Sequence, residues 1–297
     1  MSANLPTHYV QQYSTNISLL LQQKGSKLRN AVMTGSHVGK QASPVDQFGS
    51  VEMQAVSSRF APMGRVDASA DRRWVYPSDF DLPQLIDNFD KLRLITDPSS
   101  SYVQNAVMAA GRQFDKLICS AFTGTAKTGE TGATSTSFTA GNEVDVATGG
   151  SNSKLNVAKI KAVKELMMAN FVDFDMEQAF IGITAADHAA LLNEIQVISS
   201  DFNGSGAVLR EGKLDQFLGF TFIHCELIET ALAGTNEVTL PVWVKSGMYL
   251  GLWNDIQNSV SIRHDLQGEP WQLYTFMTAG ATRLEEDKVY AIESYRA

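Results

Sequence analysis

The sequence predicts an α+β fold, a body of mixed helices and strands with extended appendages at its N-terminal end. Three observations lead there. Between Pro98 and Phe122, the residues Val103, Ala106, Val107, Ala110, Phe114, Leu117, Ile118 and Ala121 recur at three- and four-residue spacing, as in one long amphipathic helix. The second half of the chain holds short β-favouring runs interleaved with helical patterns. Residues 1–45 are rich in Gln, Ser, Asn and Gly with weak periodicity, and 44–77 hold few large aliphatic side chains, so neither stretch can build a core of its own.

Composition narrows the class. The chain has 297 residues, 44% hydrophobic and 19% charged, which excludes disorder, collagen and coiled coil. With 24 Lys+Arg against 32 Asp+Glu the net charge is −8 and the pI about 5.2, which argues against a general affinity for nucleic acid. The early apolar stretch Ile17 to Leu21 is too short for a membrane span or a secretory signal core, so the expectation is a soluble protein made inside a cell, with no membrane partner. Cys119 and Cys225 lie far apart in apolar segments, neither a disulfide framework nor a zinc spacing, and are expected as two reduced, buried thiols.

From Met1 to Val45 there is no Asp or Glu, while Lys24, Lys27, Arg29 and Lys40 are present. This is a basic arm rich in Gln, Ser, Asn and Gly, expected to order only against something else. An acidic surface on a neighbouring copy is the simplest partner, and nucleic acid the second choice. From Pro44 to Pro77 the chain reads as a long two-stranded excursion, with β-favouring stretches Gln47 to Val56 and Arg72 to Tyr76 flanking Ala61-Pro62-Met63-Gly64. A hairpin of that kind is marginal alone and is usually stabilised by a partner.

Asp97 is expected to cap the long helix and Pro98 to open it, and Gly124 to end it; its length makes it an architectural spine. The Gly/Thr/Ser/Ala-rich tract Thr123 to Ser153 then reads as a loop or short exposed hairpin. Within it, Gly124 to Thr131 approaches a phosphate-binding loop, but Glu130 stands where the motif needs Lys and the segment follows a helix instead of a strand. Nucleotide binding is therefore rejected.

A second helix is expected from Ser153, its cap, through Leu155, Ile160, Val163, Leu166 and Met167, with Lys154, Lys159, Lys161 and Lys164 on the wetted side. Ala179 to Ile183 reads as a buried strand, and Thr184 to Asp187 as a capping box opening a third helix through Leu191, Leu192 and Ile195. Further strands are expected at Phe220 to Cys225, Val238 to Val244, Met248 to Leu252 and Ser259 to Arg263, and Val289 to Tyr295 alternates like an edge or return strand.

The residues that carry chemistry give no active site. The histidines His8, His37, His188, His224 and His264 show no ligand spacing. His224 and Cys225 are neighbours in a strand and point to opposite faces. Asp173, Asp175 and Glu177 alternate and could present three carboxylates to a cation, although a solvated acidic face is the plainer reading. Gly204-Ser205-Gly206 lacks the third glycine of a dinucleotide fingerprint. The expectation is no catalytic residue, no metal and no cofactor.

An arm and a long hairpin without cores, a rigid spine and a compact α/β lobe make most sense in an assembly. In this order they resemble the major capsid proteins of tailed bacteriophages, whose HK97-like shell fold has an N-terminal arm, an extended loop, a peripheral domain built on a spine helix, and an axial domain. The resemblance covers nearly the whole chain and rests on order and spacing. It implies an arm at 1–45, an extended loop at 46–78, a peripheral domain at 79–152 and 263–297 with its spine at 98–122, and an axial domain at 153–262. Phe180 to Ile195 and Leu218 to Phe222 match axial elements. Gly280-Ala281-Thr282-Arg283-Leu284, running on to Val289-Tyr290-Ala291-Ile292, resembles the family's closing stretch, in which an Arg-containing strand returns beside the spine.

The resemblance implies a virion structural protein, with no enzymatic activity, that self-assembles through hexamers and pentamers into an icosahedral shell around double-stranded DNA, assembled in the host cytoplasm. Its partners would be other copies of itself, a portal protein and the packaged DNA by non-specific contact. The founding example carries a scaffolding segment ahead of its arm. This chain has too few residues there, so a separate scaffolding protein is expected. The founding loop also offers a Lys for an isopeptide link, whereas none lies between Lys40 and Lys91 here. A shell without such links is expected, with room for a cement or decoration protein. Candidate inter-subunit residues are Lys24, Lys27 and Arg29 in the arm, and Arg59, Arg65, Arg72 and Arg73 in the loop, facing acidic surfaces such as Asp79, Asp81, Asp87 and Asp90. Two alternatives stay open: an encapsulin-like nanocompartment shell enclosing protein cargo, and a hydrolase with a hidden site.

Overall fold

The computed structural model describes residues 22–40, 46–55, 58–59, 64–86, 99–150, 152–198, 214–234 and 236–296. Its strands are β1 (Met33–Ser36), β2 (Asp46–Phe48), β3 (Ala70–Trp74), β4 (Ser78–Ile86), β5 (Ala126–Thr128), β6 (Thr134–Thr136), β7 (Glu143–Val144), β8 (Ala179–Ile183), β9 (Gln216–Phe217), β10 (Phe220–His224), β11 (Glu237–Val244), β12 (Met248–Ile262), β13 (Trp271–Arg283) and β14 (Val289–Tyr295). The helices are α1 (Ser99–Thr123), α2 (Val157–Ala169), α3 (Ala185–Leu191), α4 (Ile195–Ile198) and α5 (Leu227–Ala231). Three sheets result, ordered β1-β12-β13-β4, β7-β14-β11-β8-β10-β9 and β2-β3-β5-β6.

Helix α1 is the expected spine, 25 residues and roughly 37 Å long. Its expected cap, Asp97, and first residue, Pro98, lie outside the described residues. Ala106, Ala110, Phe114, Ile118 and Phe122 form its buried stripe, and it packs on β12 and β13. In the six-stranded sheet every residue of β8 is buried, and Trp243 of β11 stacks on Phe180 and meets Phe122 of the spine. One core thus runs from the spine into that sheet.

Several expectations change. The stretches 248–252 and 259–263 are one 15-residue strand, β12, whose register shifts near Asn254 bend it without breaking it. Of its partner β13 only the end, the Arg-containing strand at 280–283, is expected from the resemblance, and the strand β4 is not expected at all. Pro83 fits β4 because that strand is a sheet edge, where a missing N–H costs no ladder bond. Strand β14 is no edge: it lies between β7 and β11. These pairings cut across the expected boundaries, since β12 belongs with β4 and β13 while β14 completes the sheet of β8 and β11. Helix α2 starts at Val157 with Asn156 as cap, its side chain accepting from the Lys159 amide at 2.9 Å, so Ser153 is not the cap. Lys159 is not wetted either. It is fully buried, donating to the carbonyls of Ser153 at 2.6 Å and Glu293 at 2.8 Å. The third helix ends at Leu191, with Ile195 opening a separate turn of helix.

Candidate functional site

The arm is not left waiting for a neighbour over its described part. Asp115, fully buried on α1, accepts from Gln23 Nε2, Ser26 Oγ and the backbone amides of Lys27 and Leu28 at 2.5–3.1 Å. Arg112 adds a bond to Gln22 Oε1 at 2.7 Å. The strand β1 then pairs in parallel with β12, and Leu28, Ala31 and Val32 are buried. Residues 22–36 therefore order on their own subunit, which corrects the expectation that the arm needs another molecule. A carboxylate on the helix supplies what the arm's sequence lacks.

This docking needs Gly111. A Cβ there would come within 2.5 Å of the Gly25 carbonyl carbon, and Gly25 itself has φ of +71°. Gly111→Val should leave α1 helical while displacing the arm, at a cost of about 2 kcal/mol. Limited trypsin digestion read by mass spectrometry would then show rapid cleavage after Lys24 and Lys27. Cleavage as slow as in the unaltered protein would contradict the close crossing.

The extended loop is a real two-stranded excursion at its base. Antiparallel β2 and β3 pair Asp46 with Arg72 and Phe48 with Ala70, and β3 pairs onward with the β5–β6 hairpin. Farther out, 51–55 and 64–69 are exposed, with Val51 57%, Met53 103% and Val66 47% accessible. The base is bolted to the body by a charged relay. Arg73 Nη1 meets Glu286 Oε1 at 3.2 Å, and Glu286 Oε2 meets Arg283 Nε at 3.0 Å. Arg283, fully buried, turns its Nη1 to the carbonyls of Ala121, Phe122 and Gly124 and so caps the spine. A cleft of about 580 Å³ beside this relay is lined by the loop base, by Phe171, Val172, Asp173, Met176 and Glu177, and by 285–288. Phe171, 95% exposed with φ of 59°, projects at its rim.

The candidate contact residues divide. Lys24, Lys27, Arg59, Arg65, Asp79 and Asp81 are exposed. Arg29 pairs with Asp255 at 2.7 Å, holding that carboxyl below its usual range through the hydrogen bond, and lies over Phe114. Arg65 pairs with Asp67 and Arg72 with Asp46 within the loop. Arg73 is 6% exposed and committed to Glu286, so it is withdrawn from the contact set. Asp87 and Asp90 lie outside the described residues. Asp115, Arg283 and Glu286 were not singled out as site residues from sequence. Only the closing Arg283 carried a signal, its position in the resemblance.

Among the described residues no catalytic constellation assembles. Cys119 and Cys225 are free and buried, and their side chains hydrogen-bond each other, a bond that together with burial pushes the Cys119 thiol up. His224 turns to Glu226 at 2.7 Å. Asp173 accepts from the Asp175 amide in a turn and Glu177 pairs with Lys288, so the three carboxylates do not converge. Among the described residues no group of acids, His and Cys could hold a metal, and no helix is long and apolar enough to cross a membrane. The phosphate-loop look-alike is the β5–β6 hairpin, and Gly204 to Gly206 lies outside the described residues.

The family model for phage capsid proteins matches residues 5–295. This chain belongs to the phage capsid protein family. Solved capsids share its fold. The capsid of cyanophage P-SCSP1u aligns with TM-score 0.74 at 15% identity, over 97% of this chain and 93% of that one. The cyanophage Pam1 capsid aligns with 0.72 at 10% identity, over 99% and 98%. The capsid of the native GTA particle gives 0.69 at 12%, over 98% and 97%. A search of curated proteins finds no match. The fold is the expected HK97-like shell fold, and the protein is a shell-forming major capsid protein of structural class. The encapsulin-like alternative is not favoured.

Proposed function

We propose that this capsid protein closes into an icosahedral shell of hexamers and pentamers around a double-stranded DNA genome, assembled in the host cytoplasm. A separate scaffolding protein, a portal and, as an accessory, a cement or decoration protein are its expected partners. The exposed apolar side chains on the loop, Val51, Met53 and Val66, are the observation that carries the reading: a ribbon without a core presents area to be buried on a neighbouring copy. Arg59 and Arg65 beside them, and Asp79 and Asp81 on β4, would add charge complementarity at the rims of such contacts. Repeated weak contacts then close a shell without strong pairwise affinity. The domain scheme becomes an arm, a loop at 46–78, a peripheral plate of α1 on β1, β12, β13 and β4, and an axial lobe around the six-stranded sheet, joined by β14.

Negative-stain electron microscopy of the chain, alone and with a co-expressed scaffold, should show closed shells or uniform rings. A monodisperse monomer under both conditions overturns the proposal. Denatured shells should run as single chains, since no lysine lies between Lys40 and Lys91 to form a loop-borne isopeptide link. A covalent ladder would contradict that part.

A further inference from the structure

The two cysteines of the chain meet inside it, although about 100 residues separate them in sequence. Cys119 lies on α1, one helical turn after Asp115, and Cys225 follows the last residue of β10. Both are buried in the core that runs from the spine into the six-stranded sheet. Cys225 is anchored at its backbone. Its amide donates to the Ile183 carbonyl of β8 at 3.0 Å, and its carbonyl accepts from Ile228 at 3.4 Å, where α5 packs on the spine. Two sulfurs in hydrogen-bond contact on anchored elements need little backbone movement to bond, which is the geometric condition for a disulfide.

The contact is asymmetric. Cys119 donates its S–H to the Cys225 sulfur, which also accepts from the backbone amides of Leu227 and Ile228. The bond from Cys119 leads in holding the Cys225 thiol below its ordinary value against burial, while the same bond and burial push Cys119 up. The charge of Asp115 opposes ionisation of both, but donors from residues 23–28 already occupy its oxygens. Cys225 is thus the better nucleophile and Cys119 the thiol placed to resolve it.

We infer that Cys119 and Cys225 are an oxidation site, converted by a hydroperoxide into a disulfide that fastens the spine α1 to the six-stranded sheet. Burial restricts the oxidant to one near the size of water. The Cys225 thiolate attacks one peroxide oxygen, the O–O bond breaks with its electron pair leaving on hydroxide, and Cys225 becomes a sulfenic acid. The Cys119 sulfur then displaces the sulfenic hydroxyl to form the S–S bond. The Cys119 proton leaves with that hydroxyl as water, and the first hydroxide takes up the Cys225 proton as a second water. Two thiols are oxidised and one peroxide is reduced. For the shell the consequence rests on the reading above: reduced in a cytoplasm, the subunit keeps plate and lobe joined by packing alone, and in oxidising surroundings the cross-link closes.

The test treats the full-length chain, purified reduced, with a small excess of hydrogen peroxide, followed by alkylation in denaturant and peptide mass spectrometry without reduction. A peptide pair joined through Cys119 and Cys225, lighter by two hydrogens, is expected. The thermal midpoint should rise by about 5–10 °C and return on reduction. Cys119→Ser should stop at a Cys225 sulfenic acid that dimedone traps, whereas Cys225→Ser should leave Cys119 unoxidised. Both cysteines recovered as alkylated thiols, or oxidised singly without a link in the unaltered chain, overturn the inference. A link that leaves the midpoint unchanged overturns the fastening role. Failure of the reduced chain to form shells counts against the shell reading, and the cross-link is scored independently of it.

Discussion

Arg283→Ala should destabilise the subunit by about 3–5 kcal/mol, enough to abolish soluble expression or shell formation. Its guanidinium has no access to water and serves two structures at once. It takes the carbonyls of Ala121, Phe122 and Gly124, which the end of α1 would otherwise bury without partners, and it holds Glu286 at 3.0 Å. It also lies over the Phe138 ring at 5.5 Å. Removing it orphans the carbonyls and leaves Glu286 with Arg73 alone. Arg283→Lys should restore less than half of the loss, because a single ammonium cannot reproduce the planar fork. Denaturant midpoints for the three proteins decide the matter. A loss under about 1 kcal/mol for the alanine variant would mean that the helix end is satisfied in another way.

The same residue shows where sequence reading stops. The spine was legible because its apolar stripe is dictated by local period, and β8 because it is a continuous apolar run bounded by turn residues. Most of the strand β13, ahead of its Arg283 end, was missed because the side chains it buries include Thr275 and Ala279, which give little hydropathy contrast with their neighbours. In β4 the two Asp and Pro83 mask a strand whose inward side chains, Phe80 and Leu82, are only partly buried. Lys159 reads as solvated since nothing local announces two carbonyls waiting for its ammonium, one of them on Glu293. The arm looked coreless because its anchor, Asp115, lies 88 positions from Lys27. Charged groups with distant partners are set by topology, and a single sequence carries no local trace of it.

Arg296→Met should cost about 3–5 kcal/mol at neutral pH, with a pH dependence that identifies the cause. Arg296 forms a two-bond pair with the fully buried Asp187, at 2.5 and 3.1 Å, and also reaches Glu229. Burial works against the Asp187 carboxylate, but the hydrogen bonds from Arg296, Ser294 and Thr184 outweigh it and hold the group below its ordinary value of 3.8. A depressed carboxyl contributes stability that is complete above the unfolded value, near pH 4, and lost as pH falls through the lower folded value. Without Arg296 the desolvation is left less opposed and the folded value rises. Once it passes the unfolded one, the sign reverses, and the variant loses stability as pH climbs through the raised value. The gap between variant and parent should therefore be widest at neutral pH and close in acid. Glu293, pushed up to about 7 by burial and by Glu143, titrates in both proteins and largely cancels in the difference. Chemical denaturation at several pH values between 3 and 8 reads this gap, and Asp187→Asn/Arg296→Met should recover part of the loss by removing the stranded charge. A gap that stays constant across that range would show that Arg296 acts through packing of its aliphatic stem and not through charge.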